Sequence, residues 1–140
     1  MINRPPRILN EVRITITSDK DIVTARQSGR QMAAESGFRS ADSTFIAAAI
    51  SEIGRTIGCL ATRGEIILRL IDNELKQGVE VVAVAEGPGT PELALEMQDG
   101  YSTSHGLGLS LAGVRQLMDE CEVISRGGTR TVVISRKWKC

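Results

Sequence analysis

The stretch VEVVAVA, residues 79–85, is the feature that most restricts how this chain can fold. Six of its seven side chains are apolar, and such a nearly continuous run is typical of a strand at the centre of a sheet. The preceding run GEIILRLIDN, residues 64–73, also predicts a strand. The short polar link ELKQG between the two runs predicts that they form a hairpin.

Periodicity in the rest of the chain predicts further strands and helices. EVRITITS, which begins at Glu11, alternates apolar and polar residues as a half-buried strand does. The segments that begin at Asp19 and near Ser40 have helical spacing, and Gly37 is expected to end the first of these helices. Another helix is predicted over about residues 109–120, followed by a hairpin of CEVIS and TRTVVISRKW.

This order of elements, β, α, α, β, β, loop, α, β, β, predicts an α+β fold. We expect a two-layer sandwich in which a mixed sheet carries helices on one face. Residues 1–10 are expected to form a flexible N-terminal lead, and residues 11–140 a single domain. A chain of 140 residues is long enough to bury one core without disulfides or a structural metal.

The composition argues against several classes of function. Seventeen Lys and Arg residues balance seventeen Asp and Glu residues, whereas a nucleic-acid-binding protein usually has a net basic surface. Two Phe, one Tyr and one Trp are too few for base-stacking platforms. No apolar run approaches the roughly 20 residues that span a bilayer, and the N-terminus lacks a signal-peptide core, so we expect a cytoplasmic protein without a membrane partner. The three scattered cysteines lack CxxC spacing, which argues against a metal site or a disulfide framework.

Two glycine-containing segments are candidates for nucleotide binding. Gly106 and Gly108 precede the helix predicted after residue 108, where backbone N–H groups and the helix dipole favour phosphate. Gly87 and Gly89 follow the central strand in EGPGTP, where glycine lets the backbone pass close to a planar ligand. The alternatives are a flexible loop before a helix for the first pair and a Pro-Gly turn that ends a strand for the second.

Glu52 is the candidate for acid–base chemistry. It lies in the second predicted helix, within AAAISEIGRTIGC, and Thr56 follows it by four residues, so the two side chains share one face. Phe45 and Ile53 keep the same helical spacing. A carboxylate in such an apolar segment is either a partly exposed side chain or a general base.

Four quoted segments together resemble a known family. They are ISEIGRT around Glu52, the glycine turn after the central strand, STSHGLGLSLAGVRQLMDE, and the terminal strand that ends in KW. The pattern resembles the GHKL-type ATPases with the Bergerat fold, and within them the serine-protein kinases related to anti-sigma factors. It is most similar to the RsbT-type switch kinases of the bacterial stressosome, and the resemblance covers the chain from about Glu11 onward.

The resemblance implies a role for each matching position. Glu52 stands where the family has the glutamate that accepts the proton of the substrate serine, and Thr131 stands near the adenine. The implied cofactors are ATP and Mg²⁺, the implied substrate is a serine on a STAS-domain protein, and a downstream signalling enzyme is the second implied partner. The implied nucleotide-binding positions, of which Thr56 is also the metal position, are Thr56, Ala85, Gly87, Gly89, Thr103, Gly106, Gly108, Leu109, Ser110 and Thr131.

Four positions depart from the family pattern, and all concern nucleotide binding. Thr56 replaces the asparagine that holds Mg²⁺, Ala85 replaces the aspartate that binds the adenine amino group, and Ser110 and Arg130 replace glycines. Loss of the aspartate is expected to cost about 1.5–3 kcal/mol, or roughly 10- to 100-fold in affinity. Three hypotheses follow: a protein serine kinase, a pseudokinase that binds partners without catalysis, and a structural protein in which Glu52 and the glycines have no joint role.

Overall fold

The computed structural model describes residues 5–60, 63–87, 113–126 and 130–139, and these contain a five-stranded sheet and two long helices. In chain order the elements are β1 (Arg7–Ile16), α1 (Asp19–Glu35), α2 (Ser40–Leu60), β2 (Arg63–Asp72), β3 (Gln77–Glu86), β4 (Glu120–Arg126) and β5 (Arg130–Trp138). Residues 113–117 are also helical, within the helix predicted for residues 109–120. Of the helices described, none is long and apolar enough to cross a membrane.

The sheet has the strand order β1-β2-β3-β5-β4, and its four strand pairs are all antiparallel. The predicted α+β fold is confirmed, but the prediction of a mixed sheet is wrong for the described strands. The reason is the helical hairpin between β1 and β2. Its helices run in opposite directions, with Ile22 of α1 beside Gly54 of α2 and Gly29 beside Ile50. The chain runs away from the end of β1 along α1 and returns along α2, so β2 begins beside the end of β1.

Both helices pack on one face of the sheet, as predicted, and the main core lies between the two layers. Ile50 and Ile53 of α2 and Ile66 and Leu68 of β2 are among the largest fully buried side chains. Because side chains alternate along a strand, the other face of the sheet has its own residues, and a smaller apolar cluster forms there around Val82.

The sequence predicts the end of α1 correctly, but it does not predict the start of β1. β1 begins at Arg7, inside the segment predicted as a flexible lead, and the Arg7 guanidinium donates to the Asp72 carboxylate across the β1–β2 pair at 3.1 Å. α1 ends where predicted, because Gly37 follows its C-cap with φ of +86°, a left-handed conformation that favours glycine.

A ladder of ion pairs crosses all five strands on the face without helices. Arg69 of β2 donates from Nε to Glu11 of β1 at 2.8 Å and from Nη1 to Glu80 of β3 at 3.3 Å. Arg136 of β5 donates from Nε to Glu80 at 2.7 Å and from Nη1 to Glu120 of β4 at 3.3 Å. The Glu80 side chain is 7% exposed, and both of its oxygens accept from a guanidinium in place of water. The ladder therefore links both edge strands to the buried centre of the sheet.

Gly64 sets how closely α2 approaches the sheet. A Cβ at Gly64 would lie 2.5 Å from Cγ2 of Ile57, whereas a Cβ at Gly58 of α2 would meet nothing within 4 Å. We predict that Gly64→Ala lowers the free energy of unfolding by about 1–3 kcal/mol, because the added methyl group overpacks the contact with Ile57. Gly58→Ala is the matched control and should raise that free energy by up to about 1 kcal/mol. Urea denaturation followed by circular dichroism measures both, and equal losses in the two variants would contradict the packing argument.

Stability should depend on acid pH through carboxylates that are hydrogen-bonded in the folded state. Hydrogen bonds from Arg69, and then from Arg13, hold the pKa of Glu11 below its usual value, and those from the backbone N–H and hydroxyl of Thr17 do so for Asp21. In the unfolded chain these groups take up protons at a higher pH. Their stabilisation is therefore complete above about pH 5 and is lost as the pH falls through the lowered folded-state pKa values.

We predict that the urea midpoint falls as the pH drops below about 5, and that it falls less steeply in Glu11→Gln, which has no carboxylate to protonate at this position. A series of urea midpoints from neutral to strongly acidic pH measures the effect. Glu122→Gln, an exposed position on β4, is the control. If the urea midpoint falls with acid pH at the same slope in Glu11→Gln and in the unmodified protein, Glu11 does not contribute to the acid dependence of stability.

Candidate functional site

A cavity of about 940 Å³ opens at one end of the sheet, where β1 and β3 end and β2 and β5 begin. Its volume lies within the range of about 300–1,000 Å³ that is typical of ligand sites. Thr17, Gly64, Glu86 and Arg130 line it from the ends of these strands, and Arg55 lines it from the C-terminal half of α2. The cavity therefore lies at the end of β3, where the first glycine turn is predicted.

The carboxylate of Asp21 fixes the corner between β1 and α1. Its Oδ2 accepts the backbone N–H and the hydroxyl of Thr17, both at 2.8 Å, and the backbone N–H of Ser18 at 3.1 Å. Ser18 is the N-cap of α1 and forms a capping box with Asp21. Because Thr17 and Ser18 line the cavity, these hydrogen bonds hold one of its walls in place.

Glu52 lies on the outer side of α2, with 31% of its side chain exposed, and forms an ion pair with Arg55 less than one turn later. Arg55 also lines the cavity, so this ion pair connects the Glu52 carboxylate with the rim of the cavity. A carboxylate that solvent reaches and a cation orients is able to accept a proton from a bound hydroxyl group. The position is compatible with the role of general base, which stays a prediction.

Thr56 lies one turn after Glu52, at the boundary between the outer and the buried side of the same helix, and is 1% exposed. Its hydroxyl donates to the backbone carbonyl of Glu52 at 2.9 Å, a hydrogen bond that Ser and Thr often form within helices. No three His, Cys, Asp or Glu side chains converge in the part of the chain that the structure describes. A buried hydroxyl that is engaged with the backbone of its own helix is a poor Mg²⁺ ligand in this arrangement.

The structure brings three of the predicted nucleotide positions, Ala85, Gly87 and Thr131, to one end of the sheet. Ala85 and Thr131 lie opposite each other on β3 and β5, and they are 2% and 0% exposed. Gly64 lies opposite Ala85 on β2, so three neighbouring strands carry small residues in one row. Glu86 is exposed and lines the cavity, but strand alternation directs it to the other face from Ala85. Gly87 has φ of +144°, which L side chains rarely adopt, so the turn after β3 depends on glycine.

The other six predicted nucleotide positions lie outside the described residues. They are Gly89, Thr103, Gly106, Gly108, Leu109 and Ser110. Their roles in enclosing the nucleotide and binding its phosphates stay predictions.

Two features near the site are not predicted by the sequence. Helical spacing groups Phe45 with the apolar residues of α2, yet Phe45 is 40% exposed, and the Nζ atom of Lys137 lies 5.3 Å from the centroid of its ring. Arg55 and Arg63 also line the cavity. The place of Arg55 three residues after Glu52 is a signal that sequence reasoning could have used. The place of Arg63 depends on strand pairing, which no local pattern determines.

Comparison with solved structures identifies the fold. No protein-family model matches the chain. The RsbU and RsbW domains of Rv1364c from Mycobacterium tuberculosis match 98% of the chain with a TM-score of 0.63 and 19% identity, and the chain spans 33% of that protein's length. The SiaB–SiaC complex from Pseudomonas aeruginosa matches 94% of the chain, and 91% of the matched chain, with a TM-score of 0.57 and 14% identity. At these identities the likeness shows a shared fold.

A relative from Bacillus subtilis (strain 168) identifies the family. It is the serine/threonine-protein kinase RsbT, which is 42% identical to this chain over 125 residues, or 89% of this chain and 94% of the relative. The resemblance predicted from the quoted segments is thereby confirmed. Identity at this level over nearly the whole of both chains means that this protein belongs to the RsbT-type serine/threonine-protein kinase family.

Proposed function

We propose that this protein is an ATP-dependent kinase that phosphorylates a serine on a STAS-domain protein of a bacterial stressosome and acts as a signalling switch. The RsbT relative, named as a serine/threonine-protein kinase, supports the proposal. In this proposal, phosphorylation releases the kinase from its STAS-domain partner, and the free kinase activates a downstream signalling enzyme. We place these events in the cytoplasm.

The observation that carries the proposal is the position of Glu52. Its carboxylate is partly exposed and is paired with Arg55, which lines a cavity of about 940 Å³, a volume that suits a nucleotide. Phosphoryl transfer depends mainly on positioning and electrostatic stabilisation, and few protein side chains react in it. One accessible carboxylate, joined by an ion pair to a residue that lines a nucleotide-sized cavity, supports this role for Glu52.

In the proposed reaction the adenine of ATP binds toward Ala85 and Thr131, and its phosphates bind toward the glycine segments. The serine oxygen of the partner attacks the γ-phosphorus. A new oxygen–phosphorus bond forms, the bond from that phosphorus to the β–γ bridging oxygen breaks, and ADP leaves. The serine proton passes to the Glu52 carboxylate, while Arg55 keeps that carboxylate oriented.

A second function, that of a pseudokinase, is favoured by two buried positions. Ala85 has no carboxylate to accept the adenine amino group, and Thr56 donates its hydroxyl to the carbonyl of Glu52. Because the Thr56 hydroxyl is a poor Mg²⁺ ligand in this arrangement, no step of the proposed reaction is assigned to the metal. A pseudokinase of this kind would bind its STAS-domain partner, or the downstream enzyme, without transferring phosphate.

Replacement of Glu52 tests the proposed base. We predict that Glu52→Gln lowers the rate of phosphate transfer by about 100- to 10,000-fold, because the amide cannot accept the serine proton. The measurement is transfer of labelled γ-phosphate from ATP to purified STAS-domain proteins of the source organism. Glu122→Gln is the control, since Glu122 lies exposed on β4. Undiminished transfer by Glu52→Gln would show that Glu52 is not the base, and no transfer by the unmodified protein would favour the pseudokinase.

Nucleotide affinity separates the two functions. We predict by calorimetry that the unmodified protein binds ATP with Mg²⁺ at micromolar to sub-millimolar concentration. Ala85→Asp combined with Thr56→Asn should bind roughly 10- to 100-fold more tightly, because the carboxylate for the adenine amino group returns. Urea denaturation of the double variant verifies that it is folded. Binding by the double variant and none by the unmodified protein would mean that the fold serves partner binding alone.

A further inference from the structure

Three charged side chains form a row across the cavity end of the sheet, here called the cavity row. Arg63 of β2 and Arg130 of β5 each lie directly opposite Glu86 of β3, so the row reads cation, carboxylate, cation. All three side chains are exposed, and all three line the cavity. Neighbouring strands lie about 4.8 Å apart, so these charged groups are close enough to contact one small ligand.

The cavity row differs from the ion-pair ladder on the same face of the sheet. Arg69, Glu80 and Arg136 have the same order of cation, carboxylate and cation, and there each oxygen of Glu80 accepts from a guanidinium. In the part of the chain that the structure describes, no ion pair or side-chain hydrogen bond forms within the cavity row or links it to another residue. The donors and acceptors of the cavity row are therefore available to a ligand.

An apolar surface lies next to the cavity row, between β3 and β5. Val84 is two residues before Glu86 on the same face, lines the cavity and is 9% exposed. Val132 lies opposite Val84 and belongs to the same apolar cluster. On the other side of Val84, β2 carries the charged residue Glu65. A flat ring that packs on the two valines would therefore direct its edge to Glu86 and Arg130.

Guanine has an edge that matches a guanidinium beside a carboxylate. Its N7 and O6 atoms accept hydrogen bonds side by side, and an arginine donates to both. Its N1–H and N2 amino groups donate side by side, and both oxygens of a carboxylate accept from them. Adenine has an amino group in place of O6 and no amino group at C2, so each charged side chain would keep only part of its hydrogen bonds.

The side chains that read adenine best are missing from the described lining of the cavity. Asn and Gln pair with both N6 and N7 of adenine, and neither residue type is among the described residues that line the cavity. Ala85, the position that the family resemblance assigns to adenine, has no polar side chain. The recognition groups that the described lining does contain therefore favour guanine.

We propose that the cavity prefers a guanine nucleotide. Arg130 donates to N7 and O6 of the base, Glu86 accepts from N1–H and the N2 amino group, and the ring packs on Val84 and Val132. This inference rests on the proposed function in one respect, namely that the cavity holds the base of a nucleotide. It concerns only recognition of the base and does not depend on phosphate transfer.

Calorimetric titration of the full chain with GDP and ADP tests the preference, because these two ligands differ only in the base. We expect GDP to bind about 10-fold more tightly than ADP. Inosine diphosphate, which lacks the N2 amino group, should bind more weakly than GDP. Glu86→Gln should remove most of this difference between GDP and inosine diphosphate, because the amide has only one acceptor atom.

Replacement of Arg130 by glutamine tests specificity separately from stability. Arg130→Gln should lower the ratio of GDP affinity to ADP affinity about 10-fold or more, because glutamine pairs with N6 and N7 of adenine. A purely structural role of Arg130 would change both affinities alike and leave their ratio unchanged. Lys76→Gln is the matched control, because Lys76 is exposed in the turn between β2 and β3 and does not line the cavity. Urea denaturation verifies that each variant is folded.

The inference fails if ADP binds as tightly as GDP, if the ratio of affinities is unchanged in Arg130→Gln, or if Lys76→Gln changes it equally. Absence of binding by both nucleotides would also overturn it.

Transfer of labelled γ-phosphate from ATP and from GTP to the STAS-domain proteins, measured in parallel, separates this inference from the proposed function. Transfer from ATP together with equal affinities for GDP and ADP would leave the kinase function standing and refute the guanine preference. A preference for GDP that depends on Arg130, without transfer from either nucleotide, would leave the guanine site standing and refute the kinase function.

Discussion

The contact between α2 and the start of β2 determines the geometry on which the candidate site depends. Ile57 lies so close to Gly64 that a methyl group on Gly64 would overlap it. This contact fixes the rotation of α2 about its own axis, because Ile53 and Ile57 must both face the interior. Glu52 then lies on the outer side of α2, and its partner Arg55 lines the cavity. The position of the candidate base thus follows from tertiary packing and not from any local preference of its own segment.

The two ends of the sheet differ in how their backbone and side chains are held. The ion-pair ladder crosses β3 at Glu80, five residues before Ala85, which is about 17 Å along an extended strand. At the ladder end, Glu80 is paired on both sides and Trp138 packs over Gly78. At the other end Gly64, Ala85 and Thr131 lie in one row, one residue from the ends of β2, β3 and β5, next to an open cavity. Ion pairs placed away from the cavity are expected to keep the strand register when the cavity end changes.

Local periodicity predicts the helices and strands, but no single segment shows how they pair and pack against one another. The central strand and the end of α1 at Gly37 each depend on a few neighbouring residues. The antiparallel sheet depends instead on how α1 and α2 pack side by side. Phe45 shows the same limit, because helical spacing alone groups it with the apolar residues of α2, yet it is 40% exposed. Only the packing of α1 and β2 on α2 decides which apolar residues of the helix are buried.

Thr56 matters more than Ala85 to the choice between kinase and pseudokinase. A missing contact to the adenine amino group weakens binding by roughly 10- to 100-fold, which a sufficient concentration of nucleotide offsets without any change in the chemical step. A missing metal ligand acts on the phosphoryl transfer itself, where charge must be neutralised as the bond breaks. The hydroxyl of Thr56 is held by one hydrogen bond of 2.9 Å to the carbonyl of Glu52, and breaking such a bond costs only about 0.5–1.5 kcal/mol. If contact with the Thr56 oxygen stabilises a bound nucleotide by more than about 0.5–1.5 kcal/mol, the side chain would turn away from the carbonyl of Glu52. The same sequence would then act as a kinase.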